Sequence, residues 1–333
     1  MKHMNGITKA FTVGVVGMSL AFIAAGSSMA QTKPAYPKGP VTLVVPFAPG
    51  GSTDIIGRLL AERLAVALKQ SVVVENRSGA GGNIGAAHVA QSRPDGQTLL
   101  FGTTGILTVN QFVYPNPGYN VKTDLTPVIY TASISNVLIV NPSLPVNNVQ
   151  ELIALAKSKP KGLTFASSGA GSSTHLSGEL FKSMAGVDLV HIPYRGSTQA
   201  LIDLMSGEID MLFDNAPSAV PLAQTKKVKA LGVTALQPLA ALPGVPTVDS
   251  AGLKGYESLS WTGVVAPAGT PPAVIELLNR EVNAILADPA VKKRLNELGA
   301  QATGGSAQAF QKHIDSETEK WGELVRKANI KAG

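Results

Sequence analysis

PFAPGGSTD, residues 46–54, joins the apolar run Val41-Thr42-Leu43-Val44-Val45 to Ile55-Ile56-Gly57-Arg58-Leu59-Leu60-Ala61-Glu62-Arg63-Leu64. The first run reads as a buried strand. The second reads as a helix with Ile55, Ile56, Leu59, Leu60, Leu64 and Leu68 on one face. Between them stand two glycines and two hydroxyls, with no lysine to hold a phosphate. A helix start carries unpaired N–H groups and a partial positive charge, which suits an anion. Glycine lets the backbone approach closely, and Ser or Thr adds a donor without adding charge. Gly51, Ser52 and Thr53 can therefore wrap a carboxylate without a basic residue.

The same strand–turn–helix unit recurs along the chain. Ser71 to Asn76 leads to Gly79-Ala80-Gly81-Gly82-Asn83, and Thr98 to Phe101 leads to Gly102-Thr103-Thr104-Gly105. After Val137 to Val140 a second series begins. Leu163 to Ala166 meets Ser167-Ser168-Gly169-Ala170-Gly171-Ser172-Ser173-Thr174, Leu189 to Tyr194 meets Arg195-Gly196-Ser197-Thr198, and Ile209 to Phe213 meets Asp214-Asn215-Ala216-Pro217. This is the rhythm of parallel α/β layers. Leu236 to Gly255, rich in Pro and Gly, reads as a surface connection, and Ser258 to Val265 as a strand returning to the first sheet. Helices follow over Pro272–Ala287, Pro289–Leu298 and Ala307–Ala328. The expected architecture is α/β, with residues 31–131 plus 255–333 forming one domain and 132–254 the other, joined by two crossovers around a cleft.

Residues 1–30 read as a cleaved secretory leader: Lys2 and Lys9 precede an uncharged apolar stretch from Ala10 to Ala25, and Ser28-Met29-Ala30 offers the small residues of a cleavage site. With 0 cysteines, disulfides and thiol chemistry are excluded. Of 28 basic residues, Lys2 and Lys9 fall in the leader, and the remaining 26 stand against 22 acidic ones for a net +4. These charges are scattered, with no stripe that would mark nucleic-acid binding. The mature protein is expected to be exported, monomeric and free of cofactors.

In an open parallel sheet, ligands sit outside the carboxyl ends of the strands. Each turn taken alone is equally an ordinary N-cap. Asp54 would repel an anion while stabilising the helix start, leaving a cap role and a contact to a ligand amine or water both open. His175 and Glu179 share a helical face without the second histidine of a zinc site. His191 fits a core or cleft-edge position. Arg195 could clamp a carboxylate or cover the surface. Neither a phosphate-binding loop with lysine nor a G-x-S-x-G nucleophile elbow occurs. Ser52 and Ser172 thus lack the strained setting a hydrolase uses, and an exported hydrolase or transferase acting through one of them stands only as the alternative, together with a ligand sensor that does not transport.

Four blocks of the chain resemble the solute-binding proteins of the tripartite tricarboxylate transporter system, the Bug-type receptors of the bacterial periplasm. They are Val44 to Asp54 after Tyr36-Pro37; Glu75-Asn76-Arg77 with Gly79 to Gly82; Ser168 to Ser172 with His175-Leu176; and Pro193-Tyr194-Arg195-Gly196. The resemblance implies a type II periplasmic-binding-protein fold that closes on a small organic carboxylate and delivers it to the permease subunits in the membrane. It places the ligand against Phe47, Ala48, Gly51, Ser52, Thr53 and Asp54 on one side and Ser167, Ser168, Ser172 and His175 on the other. Thr103, Arg195 and Asp214, at strand ends, complete the expected site.

Overall fold

The computed structural model describes residues 36–159, 162–327 and 330–331, and the leader expected over residues 1–30 lies outside them. The opening unit forms as its pattern predicts. Strand β1 (Val41–Val45) enters helix α1 (Ser52–Leu68), which returns to β2 (Val72–Asn76), parallel to β1 with Val41 opposite Val72. Helix α2 (Asn83–Ala90) then precedes β3 (Thr98–Thr103), parallel to β1 on its other side. A π-helical turn at Gly105–Val109 and two short helices, α3 (Asn110–Val113) and α4 (Val121–Asp124), lead to β4 (Leu125–Val140), far longer than the Val137–Val140 strand expected from the sequence.

Two α/β halves are built on this long strand. Helix α5 (Val149–Ser158) precedes β5 (Leu163–Ser167), α6 (Ser173–Ala185), β6 (Leu189–Pro193), α7 (Ser197–Ser206), β7 (Met211–Asn215), α8 (Ala216–Gln224) and β8 (Lys229–Val233). The chain crosses back through β9 (Leu259–Pro267), then α9 (Pro272–Ala287), α10 (Pro289–Glu297), β10 (Ala300–Ala302) and α11 (Ala307–Lys327). Strand order is β2-β1-β3-β9-β4-β7-β5-β6, with β8 and β10 also on β4. From Leu125 to Ser135, β4 runs antiparallel to β9, and from Asn136 to Val140 it runs antiparallel to β7. The expected return strand is thus β9, pairing with β3.

Burial explains the arrangement. The α1 stripe of Ile56, Leu60 and Leu64 packs on Val41, Leu43 and Val45, with Leu278 and Val282 of α9 in the same cluster. In the second half, Phe165, Phe181 and Phe213 gather on one face of the sheet, and Leu201, Leu204 and Val220 on the other. Parallel strands covered on both faces carry continuous apolar runs, so their polar residues collect in the turns at the strand ends. That segregation creates the polar site.

Gly263 of β9 faces Phe310 of α11 so closely that a Cβ there would fall on the Phe310 ring and lie 2.8 Å from the Ile129 carbonyl oxygen. Overpacking of this kind costs about 1–3 kcal/mol. Gly263→Ala is therefore expected to lower the free energy of chemical unfolding by that amount, seen as a lower midpoint with an unchanged slope. An unchanged midpoint would mean that α11 does not pack on β9 as described.

Candidate functional site

A small pocket opens where the two halves face one another, lined by Phe47, Gly51, Ser52, Thr53, Thr103, Ser168, Ser172, Ser173, Ser197, Asn215 and Ser260. Its composition follows from four helix starts. Gly51 caps α1 and Ser52 and Thr53 open it; Ser172 caps α6 and Ser173 opens it; Ser197 opens α7; Asn215 caps α8. Thr103 and Ser168 lie at the ends of β3 and β5, and Ser260 lies on β9. No side-chain cap occupies the first-turn N–H groups of α1, α7 or α8. Each helix start favours a nearby negative charge by about 0.3–1 kcal/mol, more where it is sheltered from water.

The lining hydroxyls fall into two groups. Ser52, Thr53, Thr103 and Ser260, all from the first half, make no side-chain hydrogen bond among the described residues, and the Ser52 hydroxyl is buried as well. Those of the second half are already committed. Ser172 donates to the Gly169 carbonyl at 2.6 Å, Ser168 and Thr174 hydroxyls are 3.1 Å apart, Ser173 donates to Asn215 at 3.4 Å, and Ser197 donates to Asp214. One half thus offers free hydroxyls. The other offers helix starts whose side chains are fixed.

Of the residues expected from the sequence, Phe47, Gly51, Ser52, Thr53, Thr103, Ser168 and Ser172 line the pocket, and six others stand back from it. The Ala48 N–H is spent on the Arg195 carbonyl at 3.4 Å. Both oxygens of Asp54 are turned into the protein, accepting from Arg58 at 2.9 Å, the Gly50 amide at 2.9 Å and Asn76 at 2.9 Å. Burial opposes ionisation of Asp54, but these bonds outweigh it and hold its carboxyl below the usual range. It braces the turn from behind. The Arg195 side chain is exposed and outside the pocket lining, a position that fits the surface role left open beside a clamp.

Ser167, His175 and Asp214 form a layer beneath the lining. Ser167 and His191 lie 2.6 Å apart, and His191 stacks on His175 at 3.8 Å. His175 Nδ1 accepts from the Gly171 amide at 3.1 Å, fixing the glycine turn ahead of α6. Burial pushes His191 down to about 3, helped by His175. Ser167, fully buried and paired with so weak a base, has no route to a substrate. Among the described residues neither Ser52 nor Ser172 has a base partner, so the geometry a hydrolase needs is not present there. No cluster of His, Asp and Glu among the described residues could hold a metal.

Ser173, Ser197, Asn215 and Ser260 line the pocket but were not anticipated. The first three sit within turns that the sequence had marked, one or two places from the residues expected. Ser260 lies inside a strand, where no turn signal points to it. Contacts between the rims hold the halves together: the Thr198 hydroxyl donates to the Pro49 carbonyl at 2.8 Å and the Tyr114 hydroxyl to the Ala170 carbonyl at 3.0 Å. Gly105 permits this approach, since a Cβ there would lie 2.6 Å from the Gly171 carbonyl oxygen.

Comparison with known proteins places this geometry. The family described as tripartite tricarboxylate transporter family receptor matches residues 56–330. Protein BugT of Bordetella pertussis is 35% identical over 320 residues, covering 96% of this chain and 98% of its own. The solved structure of R. palustris Rpa4515 with adipate is 43% identical with a TM-score of 0.87, covering 89% of this chain and 99% of the other. MatC from Rhodopseudomonas palustris with bound malate is 33% identical with a TM-score of 0.83, covering 87% and 100%.

A buried hydroxyl without a partner costs about 1–3 kcal/mol, so a protein retaining one for structure alone would be more stable without it. Ser52→Ala is expected to leave unfolding stability unchanged or raise it by up to about 2 kcal/mol. A loss of about 1 kcal/mol or more would show that Ser52 serves the fold rather than the pocket.

Proposed function

Because the chain belongs to the tripartite tricarboxylate transporter receptor family, we propose that it is a periplasmic receptor for a small organic carboxylate. Four helix starts around one pocket carry this reading, together with the unpartnered buried hydroxyl of Ser52 and the absence of a charged side chain from the lining. The adipate and malate held by two relatives agree with such a donor set. In this reading residues 1–30 direct export, and residues 31–131 plus 255–333 move against 132–254 about the two crossovers. The rims close over the ligand, and the closed receptor delivers it to membrane permease subunits.

The mechanism is binding without chemistry. Hydrogen bonds to a charged group contribute about 1.5–3 kcal/mol each. Four to six of them, less the cost of ordering two halves, reach the roughly 8 kcal/mol of micromolar affinity. Donors from α1, Thr103 and Ser260 lie in the first half, and those from α6, α7 and α8 in the second. The ligand therefore completes its coordination only when the halves are together, which couples occupancy to closure.

Thermal-shift and calorimetric titration with a panel of mono-, di- and tricarboxylates, adipate and malate included, tests the reading. At least one acid should raise the melting temperature and bind with micromolar or tighter affinity. Replacing Ser52 and Thr53 together by Val should weaken that binding by about 10- to 1,000-fold, as loss of one or two charged hydrogen bonds requires, while folding stays near normal. A panel in which no carboxylate binds would refute the proposal.

A further inference from the structure

Asp214 lies near the end of β7, directly behind the pocket wall. It is fully buried, with its neighbour Asn215 and its partner Ser197 both lining the pocket. Its oxygens receive the hydroxyls of Ser197 and Ser218. The elements packed on β7 bring it no cation. Strand β4, strand β5 and helix α8 contain no Asp, Glu, Lys, Arg or His. On α7 the one such residue, Asp203, accepts from Tyr194 and Gln199. On α6 stand His175, Glu179 and Lys182, of which His175 faces Glu179 at 3.7 Å. Among the described residues the elements packed on β7 thus bring Asp214 no counter-charge, and it lies next to the site proposed for a second negative charge.

The consequence lies in the direction of one hydrogen bond. A serine hydroxyl has a single proton to give. While Asp214 is ionised, Ser197 gives that proton to Asp214 and can turn only lone pairs toward the pocket, repelling an anion. A proton taken from water onto Asp214 Oδ1 reverses this. The carboxyl then donates to Ser197 Oγ, Ser197 turns its own proton into the pocket, and Ser218 continues to donate to Oδ2. We propose that Asp214 is a positioning residue whose proton sets the hydrogen-bond polarity of Ser197, so that the receptor takes up a proton together with its anionic ligand. Burial already pushes the Asp214 carboxyl up to about 6, against the lowering effect of Ser197, Ser218 and the Asn215 amide. An anion in the pocket raises it further, into the range where uptake is measurable at neutral pH.

The inference rests on the carboxylate reading above, and its test separates the two. Wild-type protein is titrated with adipate and with malate at pH 7, in buffers of different ionisation enthalpy, and the affinity is followed from pH 6.5 to 8, above the ordinary carboxylate range of the ligands. A proton entering with the ligand predicts uptake of a measurable fraction of one proton, and a Kd that rises with pH by up to tenfold per unit. Asp214→Asn, whose amide can donate to Ser197 and accept from Ser218 at any pH, should still bind, with no uptake and a flat profile. Ser197→Ala removes the group that reverses and should bind more weakly with uptake sharply reduced. Binding to wild type without proton uptake, or with the same uptake in Asp214→Asn, overturns the role of Asp214 and leaves the receptor reading standing. If neither acid binds wild type, the same titrations are made with whichever acid of the panel does, and only if none binds do the two fall together.

Discussion

A carboxylate taken out of water keeps its charge only if other donors replace its hydration, and the lining of this pocket offers neutral hydroxyls and helix starts with no charged side chain among them. The proposed receptor depends on that donor set. Helix starts are suitable because their N–H groups are unpaired by construction and their dipoles point the right way. One helix start would hold an anion weakly. Bringing α1, α6, α7 and α8 to one point sets several such ends around one small pocket.

The sheet makes that convergence possible. Parallel strands end at the same edge, so each following helix begins there, and β4 and β9 pass between the halves so that two such edges face each other. Apolar runs such as Val41–Val45 bury the strands and leave their polar residues in the turns. Asp54, His175 and Ser172 then use those polar groups to hold the turns in shape. The charged and titratable side chains near the site act on the backbone and on serines, and the serines and the turns they stand on face the pocket.

This layering also sets the limit of what the sequence discloses. The opening turn, the return strand and the three terminal helices were legible because apolar periodicity, proline and glycine act locally. The turns forming the pocket were legible for the same reason. Which side chain of a turn points inward was not, since the rotation of a helix start depends on the sheet beneath it. Hence Ser173, Ser197 and Asn215 line the pocket, while the chemically more conspicuous His175, Arg195 and Asp214 do not. Ser260 enters from β9, more than 150 positions along the chain from Thr103, with which it shares the pocket. Only the last part of the long β4 is legible in the sequence, because Pro127 and the hydroxyls of Thr131, Ser133 and Ser135 interrupt its apolar pattern.

The central claim is that neutral donors at opposed helix starts hold the anion, and a crystal structure of the receptor with its carboxylate tests it most directly. The account predicts both carboxylate oxygens within about 3.2 Å of amides or hydroxyls at the starts of α1 and at least one of α6, α7 and α8, with no lysine or arginine in contact. A ligand paired with Arg195 or another basic side chain, or bound by one half alone, would contradict it.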